Sequence, residues 1–199
     1  MDDSLVKAKS RLRADLNARR MAQPPADQEL RSLRSCGRLL EIREVAGAVW
    51  VAVYAATPGE VSLDSWIENR QKCGKRVLLP RFDSLRGDYV LAPVRDWERD
   101  TIAGKFGIRE PRPELAAVDP ETAAGGNLVW LVPGLGFDRT GGRLGRGRGY
   151  YDRLLREVRG LKIGVAFSWQ ILPELPAGPD DIRMDLIVTE AEIIRPRQA

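Results

Sequence analysis

The sequence predicts an α/β fold: one three-layer αβα domain with a central, mostly parallel sheet and helices on both faces. Three observations lead there. Ala48–Ala55, reading AVWVAVYA, is an unbroken apolar run rich in β-branched and aromatic residues, the pattern of a strand covered on both faces. A turn at Thr57-Pro58-Gly59, a helical stretch Val61–Gln71 and a short strand Lys75–Pro80 follow it, making a βαβ unit of about thirty residues. Leu128–Val132 then repeats the buried-strand pattern directly before a glycine-rich segment.

In chain order, Ser4 is placed to cap a helix running to about Arg20. Leu5, Leu12 and Leu16 give that helix a partial apolar stripe, Lys7, Lys9, Arg11 and Arg13 make the rest basic, and Pro24-Pro25 ends it. Asp27–Val45 reads as a second amphipathic helix with Leu30, Leu33, Leu39, Leu40 and Ile42 as its buried positions. Beyond the βαβ unit, Phe82–Asp96 has the pattern of a hairpin turning near Arg86-Gly87-Asp88. Ile108–Pro111 reads as extended and Ala116–Asn127 as a polar connection. Tyr150–Arg159 predicts a helix, Leu161–Phe167 and Met184–Val188 predict two more strands, and the tail beyond Arg195 is expected to fray. No repeat, low-complexity tract or linker interrupts the chain, so residues 1–199 read as a single domain.

Composition narrows the chemistry. The chain has 199 residues, 43% of them hydrophobic, enough to close a substantial core, and 30% charged with both signs mixed. It contains no histidine, which excludes His-dependent triads and the usual zinc site and leaves Lys, Arg, Asp, Glu, Tyr and backbone groups. Cys36 and Cys73 are too few and too far apart for a disulfide framework or a structural zinc pattern. The charged N-terminus lacks an apolar signal region, and no apolar run approaches a bilayer span, so a cytoplasmic protein without membrane contact is expected. The net charge of +4, from 32 basic and 28 acidic residues, is a weak pointer to nucleic acid. Its distribution says more: seven arginines lie between Arg139 and Arg159 against only Asp152 and Glu157. A positive local field there attracts phosphate.

That field coincides with Val132–Asp152, VPGLGFDRTGGRLGRGRGYYD, set between a buried strand and a predicted helix. Glycines at such a junction let backbone N–H groups approach phosphate oxygens without a Cβ in the way. Arg143, Arg146 and Arg148 add forked donors able to neutralise a polyphosphate. The segment is neither a Walker A loop nor a Rossmann fingerprint. Without further information, a mobile basic loop or a nucleic-acid contact has a similar composition.

The string PGLGFDRTGGRLGRGRGYYDRLL resembles the signature of the 5-formyltetrahydrofolate cyclo-ligase family, the methenyltetrahydrofolate synthetases. Lys9-Ser-Arg-Leu-Arg13 is similar to its N-terminal Lys-x-x-Leu-Arg, and Tyr54–Val61 followed by Lys75–Pro80 to its strand, acidic turn and strand. Phe106–Pro111 is similar to its aromatic-x-Ile-x-x-Pro segment, and Asp185 stands where it has a late acid. Two positions depart: Gly142 replaces a frequent His, and Asp180-Asp181 replaces a His-Asp of some members.

The resemblance implies the architecture shared with ribose-5-phosphate isomerase and CoA-transferase-like proteins. It further implies cyclisation of 5-formyltetrahydrofolate to 5,10-methenyltetrahydrofolate with ATP as co-substrate and Mg²⁺ as cofactor. On that basis Lys9, Arg13, Arg143, Gly145, Arg146, Gly147, Arg148, Gly149 and Tyr150 are expected at ATP. Tyr54, Glu60, Phe106, Tyr150 and Tyr151 are expected at the folate, and Asp152 and Asp185 at the metal. No side chain is assigned as a catalytic base. Taken singly, each residue has a plainer reading: a solvated basic face for Lys9 and Arg13, helix capping for Asp152 and Glu60, a turn acid for Asp185, core packing for Tyr54 and Phe106. A monomer binding a reduced folate and ATP, and no nucleic acid, is the expectation. The rivals are a diverged member that binds folate or nucleotide as a regulator, another ATP-dependent ligase on this fold, and a nucleic-acid-binding protein using Arg139–Arg159.

Overall fold

The computed structural model describes residues 3–104, 107–119, 128–156 and 158–196. Its main sheet comprises β1 (Trp50–Ala52), β2 (Arg76–Asp83), β3 (Asp88–Val94), β6 (Val129–Pro133), β9 (Leu161–Val165), β11 (Leu186–Val188) and β12 (Ile193–Ile194). These seven strands lie in the order β12-β11-β9-β6-β1-β2-β3. The five inner strands are parallel, and β3 and β12 close the two edges antiparallel.

Successive strand residues point to opposite faces, so a strand buried on both must be apolar throughout. Val51, Val53, Val77, Leu79, Leu131, Ile163 and Val165 pack on one face. There they meet Cys36 and Leu39 of α2 (Pro25–Leu40), Val45 of α3 (Arg43–Gly47), and Trp66 and Ile67 of α4 (Asp64–Lys72). Ala52, Leu78, Trp130, Val132 and Ile187 pack on the other face with Leu155 of α6 (Tyr150–Arg156). The result is the three-layer α/β arrangement the alternation foretold. No described helix is long and apolar enough to cross a membrane.

The second predicted helix is the largest departure. Leu30, Leu33 and Leu40 are more than half exposed, whereas the buried stripe is Ser32, Ser35, Cys36 and Leu39. Small residues let α2 approach the loop after β1 closely: the Ser32 hydroxyl accepts from the Ser62 N–H at 3.1 Å, and the Cys36 thiol donates to the Ser62 carbonyl at 3.4 Å. The helix also breaks at Ile42, whose extended backbone turns a fully buried side chain into the core before α3 begins. Leu33→Gln should therefore change stability by less than about 0.5 kcal/mol, whereas Leu39→Ala should cost about 3 kcal/mol. Urea unfolding of the two variants measures the contrast.

Two further elements differ in extent. β2 runs past Pro80 to Asp83, so the hairpin arm starts at the Val77–Val94 pair rather than at Phe82. The glycine-rich segment holds two strands, β7 (Gly136–Asp138) and β8 (Arg143–Leu144), which join β10 (Ile171–Leu172) in a small sheet. A separate pair, β4 (Thr101–Ala103) and β5 (Arg109–Pro111), follows the short α5 (Trp97–Asp100).

α1 (Asp3–Met21) packs on this small sheet, with Leu16 fully buried among Leu135, Leu144 and Leu175. A Cβ on Gly136 would lie 2.8 Å from the Leu16 side chain, so glycine sets how closely α1 seats. Lys9, Arg13, Leu16 and Arg20 recur at helical spacing, and this seating turns all four inward.

Candidate functional site: a cationic pocket at the C-terminal edge of the sheet

A cavity of about 540 Å³ opens where the parallel strands β1 and β6 end. That edge is where α/β sheets place ligands. The volume lies within the range of small-molecule sites. One part of its lining is cationic: Lys9 and Arg13 of α1, Arg143 of β8, and the loop Gly145–Gly149 with Arg146 and Arg148. Another part is apolar and aromatic: Tyr54, Leu79, Pro80, Tyr89, Ile108, Tyr150 and Tyr151.

The base of the glycine-rich segment is held by Asp138, which is 3% exposed. Its carboxylate accepts from the Thr140 N–H and hydroxyl, the Gly142 N–H and the Leu175 N–H, at 2.7–3.0 Å. Burial alone would raise its pKa, but the hydrogen bonds from Thr140, Gly142 and Leu175 outweigh it and hold Asp138 below the usual carboxylate value. Arg13 Nε donates to the Gly145 carbonyl at 2.9 Å, and its guanidinium lies where a Cβ on Gly147 would come within 3.1 Å. Gly147 and Gly149 have φ of +91° and +65°, the left-handed region that favours glycine.

Several predicted residues are brought together but already engage one another. Arg143, with a side chain 3% exposed, donates to Asp152 at 2.6 Å and to the Pro133 carbonyl at 3.3 Å, and its guanidinium lies 5.6 Å from the Tyr151 ring centre. It stands as a pillar under the pocket. Glu60 accepts from the Thr57 N–H at 2.9 Å, pairs with Arg146 at 3.0 Å, and lies 3.5 Å from Arg20. Arg146 also reaches the Thr57 hydroxyl, so it bridges the glycine-rich loop to the β1–α4 connection. Lys9 is paired with Asp181.

Tyr54 is buried, and its hydroxyl donates to the Val61 carbonyl at 2.8 Å. Burial first, then the nearby Glu60 charge, pushes the phenols of both Tyr54 and Tyr151 up. Both stay neutral at physiological pH, and both line the cavity. Tyr150 is stacked edge-on against Tyr89, with centroids 4.8 Å apart, and Tyr89 in turn against Phe82.

Asp185 is not brought to this pocket. It precedes β11 at the opposite edge of the parallel sheet, where its carboxylate accepts from the Lys162 N–H at 2.7 Å and its own N–H donates to the Lys162 carbonyl at 2.8 Å. Strand register separates it from Asp152: its neighbour Leu186 pairs with Ile163, near the start of β9, whereas the pocket adjoins the Pro133–Val165 end. Phe106 lies outside the described residues. Among the described residues no group of three or more acidic, Cys or His side chains is arranged to hold a metal.

Sequence reasoning missed Arg20, Thr57, Tyr89 and Asp181. Arg20 had a signal, since it continues the spacing of Lys9, Arg13 and Leu16, and Asp181 lay in the Asp180-Asp181 pair noted above but was given no role; Tyr89 reaches the pocket through tertiary contacts with no local mark.

Fold and pocket together define a three-layer α/β protein equipped to hold a polyanion beside a flat apolar group. The profile of the 5-formyltetrahydrofolate cyclo-ligase family matches residues 6–190, and the chain belongs to that family. It is 34% identical over 192 residues to the 5-formyltetrahydrofolate cyclo-ligase of Mycolicibacterium smegmatis, covering 92% of this chain and 94% of that protein. The Mus musculus 5-formyltetrahydrofolate cyclo-ligase is 28% identical over 190 residues, with the same 92% and 94% coverage. In three dimensions the chain is similar to the 5,10-methenyltetrahydrofolate synthetase of Aquifex aeolicus, with a TM-score of 0.84, 35% identity, and coverage of 96% and 94%.

Proposed function

We propose that this protein uses ATP and Mg²⁺ to cyclise 5-formyltetrahydrofolate to 5,10-methenyltetrahydrofolate, releasing ADP and phosphate. The observation that carries the reading is a single cavity that combines the cationic set of Lys9, Arg13, Arg146 and Arg148 with a wall of four tyrosines. Family membership supports the same reaction.

A formyl oxygen is a poor leaving group until phosphorylated. In the reaction it attacks the γ-phosphorus, and the bond to the β,γ-bridging oxygen breaks to release ADP. N10 then attacks the activated carbon and loses its proton. The C–O bond breaks, and phosphate departs carrying the original formyl oxygen. Phosphoryl transfer asks the protein for position and charge stabilisation, which a histidine-free site can supply. Lys9, Arg13, Arg146, Arg148 and the backbone of Gly145–Tyr150 bind the triphosphate. Arg143 holds the platform beneath them. Tyr54, Tyr150 and Tyr151 enclose the pterin, with Glu60 as its polar anchor.

Mg²⁺ commonly enters such sites on substrate phosphates with one or two carboxylates and water. Asp152 fits that part, and Asp185 does not. Bound there, the ion would neutralise phosphate charge.

The nucleic-acid reading loses support because three of the seven clustered arginines, none of them assigned to the triphosphate, are tied to acids: Arg139 to Glu192, Arg143 to Asp152 and Arg153 to Asp88.

Substrate labelled with ¹⁸O in the formyl group tests the chemistry. The label should appear in inorganic phosphate; label retained outside phosphate would remove the phosphorylation step. Separately, Arg148→Ala should raise the KM for ATP roughly 10- to 100-fold while the protein stays folded, the scale of one charge-assisted contact. An unchanged KM would take Arg148 out of the site.

A further inference from the structure

We infer that Arg20 is a positioning residue for the folate, acting through Glu60. The inference rests on the reading of Glu60 as the pterin anchor and adds a residue to which no role was assigned. Arg20 lies in the last turn of α1, is 6% exposed, and stands behind the cavity lining rather than in it. A guanidinium so buried is costly unless its donors are met. Here one short stretch of chain meets them. Arg20 Nε donates to the Pro58 carbonyl at 2.6 Å, and Nη2 donates to the Thr57 hydroxyl at 2.6 Å and the Thr57 carbonyl at 3.3 Å. Nη1 lies 3.5 Å from Glu60 Oε1.

These contacts all fall on the turn Thr57–Glu60, which the Glu60 N–H closes by donating to the Thr57 carbonyl at 2.9 Å. The turn is shaped to receive the arginine: Gly59 has a φ of +80°, and a Cβ there would collide with the Arg20 stem. The same turn orients the acid. Glu60 Oε2 accepts from the Thr57 N–H at 2.9 Å, which leaves Oε1 between Arg20 and Arg146.

The two arginines differ in kind. The Arg146 side chain is 51% exposed and belongs to the glycine-rich loop, within reach of a triphosphate. Arg20 is held by its three hydrogen bonds, and it remains the counter-charge of the Glu60 carboxylate when Arg146 turns to phosphate. α1 also carries Arg13, which stands two helical turns, about 10 Å along the axis, before Arg20. Arg13 is fixed on the Gly145 carbonyl at 2.9 Å. One helix is therefore fastened to the phosphate loop at one point and to the folate turn at another. Arg20 sets where Glu60 stands relative to the nucleotide.

A residue that only maintained the fold would affect both ligands alike or neither, so the test measures the two separately. Titration calorimetry on the full chain gives the affinities for 5-formyltetrahydrofolate and for MgATP in wild type, Arg20→Met, Glu60→Gln and the double variant. Arg20→Met should weaken folate binding about tenfold, the scale of a lost charge-assisted contact, and change MgATP affinity by less than about twofold. Glu60→Gln should weaken folate binding at least as much, and adding Arg20→Met to it should have little further effect, because the arginine acts through the carboxylate. Arg20→Lys should recover part of the affinity, since it keeps the charge but not the fork. Unchanged folate affinity in Arg20→Met would overturn the inference while leaving the Glu60 reading in place. Equal weakening of both ligands, or a loss undiminished in the Glu60→Gln background, would overturn it too. If Arg20→Met melts well below wild type, Arg20→Lys takes its place in the cycle, with the same selectivity for folate and the same dependence on Glu60 required. Folate affinity unchanged by Glu60→Gln would instead remove the anchor reading, and this inference with it.

Discussion

Asp138→Asn is expected to lower stability by about 3 kcal/mol, because four donors converge on a carboxylate that an amide cannot replace. For a chain of this size that corresponds to a fall of roughly 6–12 °C in Tm. Oδ1 accepts three of the hydrogen bonds and Oδ2 the fourth, so an amide nitrogen in either place faces a donor it cannot accept. The effect has a pH signature. The folded-state pKa of Asp138 is depressed, so its stabilisation is fully present above the unfolded value, near 3.8, and is lost as pH falls through the folded value. The gap in Tm between wild type and Asp138→Asn should be constant above about pH 5 and narrow below pH 4. Thermal melts from pH 3 to 7 measure it, and a pH-independent gap would remove the charge from the explanation. Activity should fall with stability, since Asp138 holds the base from which the phosphate loop springs.

Arg143→Ala should cost a comparable 3 kcal/mol and, in addition, about a hundredfold in kcat/KM. The guanidinium joins three parts of the site: the end of β6 at Pro133, the start of α6 at Asp152, and the ring of Tyr151. Its removal leaves Asp152 without its cation and the tyrosine wall without its support. Asp152 is 30% exposed, so water relieves part of the loss and the stability cost stays at the lower end for a broken buried pair. Arg143→Lys should recover charge but not the fork, because one ammonium cannot match a planar group that serves Pro133 and Asp152 together. Urea unfolding and steady-state kinetics separate the two losses. Full activity in Arg143→Lys would show that charge alone suffices.

The strands were legible because each inner strand is buried on both faces, which forces an apolar run that little else produces. The cationic wall of the pocket was legible because glycine and arginine alternate over a short stretch next to such a strand. Lys9 and Arg13 shared a helical face by spacing alone, and that face does turn inward. Leu39 and Ile42 are buried as expected, but Leu30, Leu33 and Leu40 were misread, because periodicity identifies a face only when its buried residues are large, and here serines and a cysteine help seat α2. Asp185 shows a related limit. Its place in the chain was plain, but strand register decides which end of a sheet an acid occupies, and register is tertiary. The mutual pairing of Arg143 with Asp152, and of Arg146 with Glu60, was hidden for the same reason. Composition marks these side chains as ligand groups, and only the packed site reveals which of them also satisfy each other.

The measurement that tests the central claim most directly is methenyltetrahydrofolate absorbance in a mixture of purified protein, 5-formyltetrahydrofolate, Mg²⁺ and ATP. The pocket as described predicts a rise that requires ATP, releases ADP and phosphate in equal amounts, and is sharply reduced in Arg148→Ala. No rise from folded protein that still binds both ATP and the folate would contradict it, and would leave a ligand-binding member of the family without the cyclisation activity.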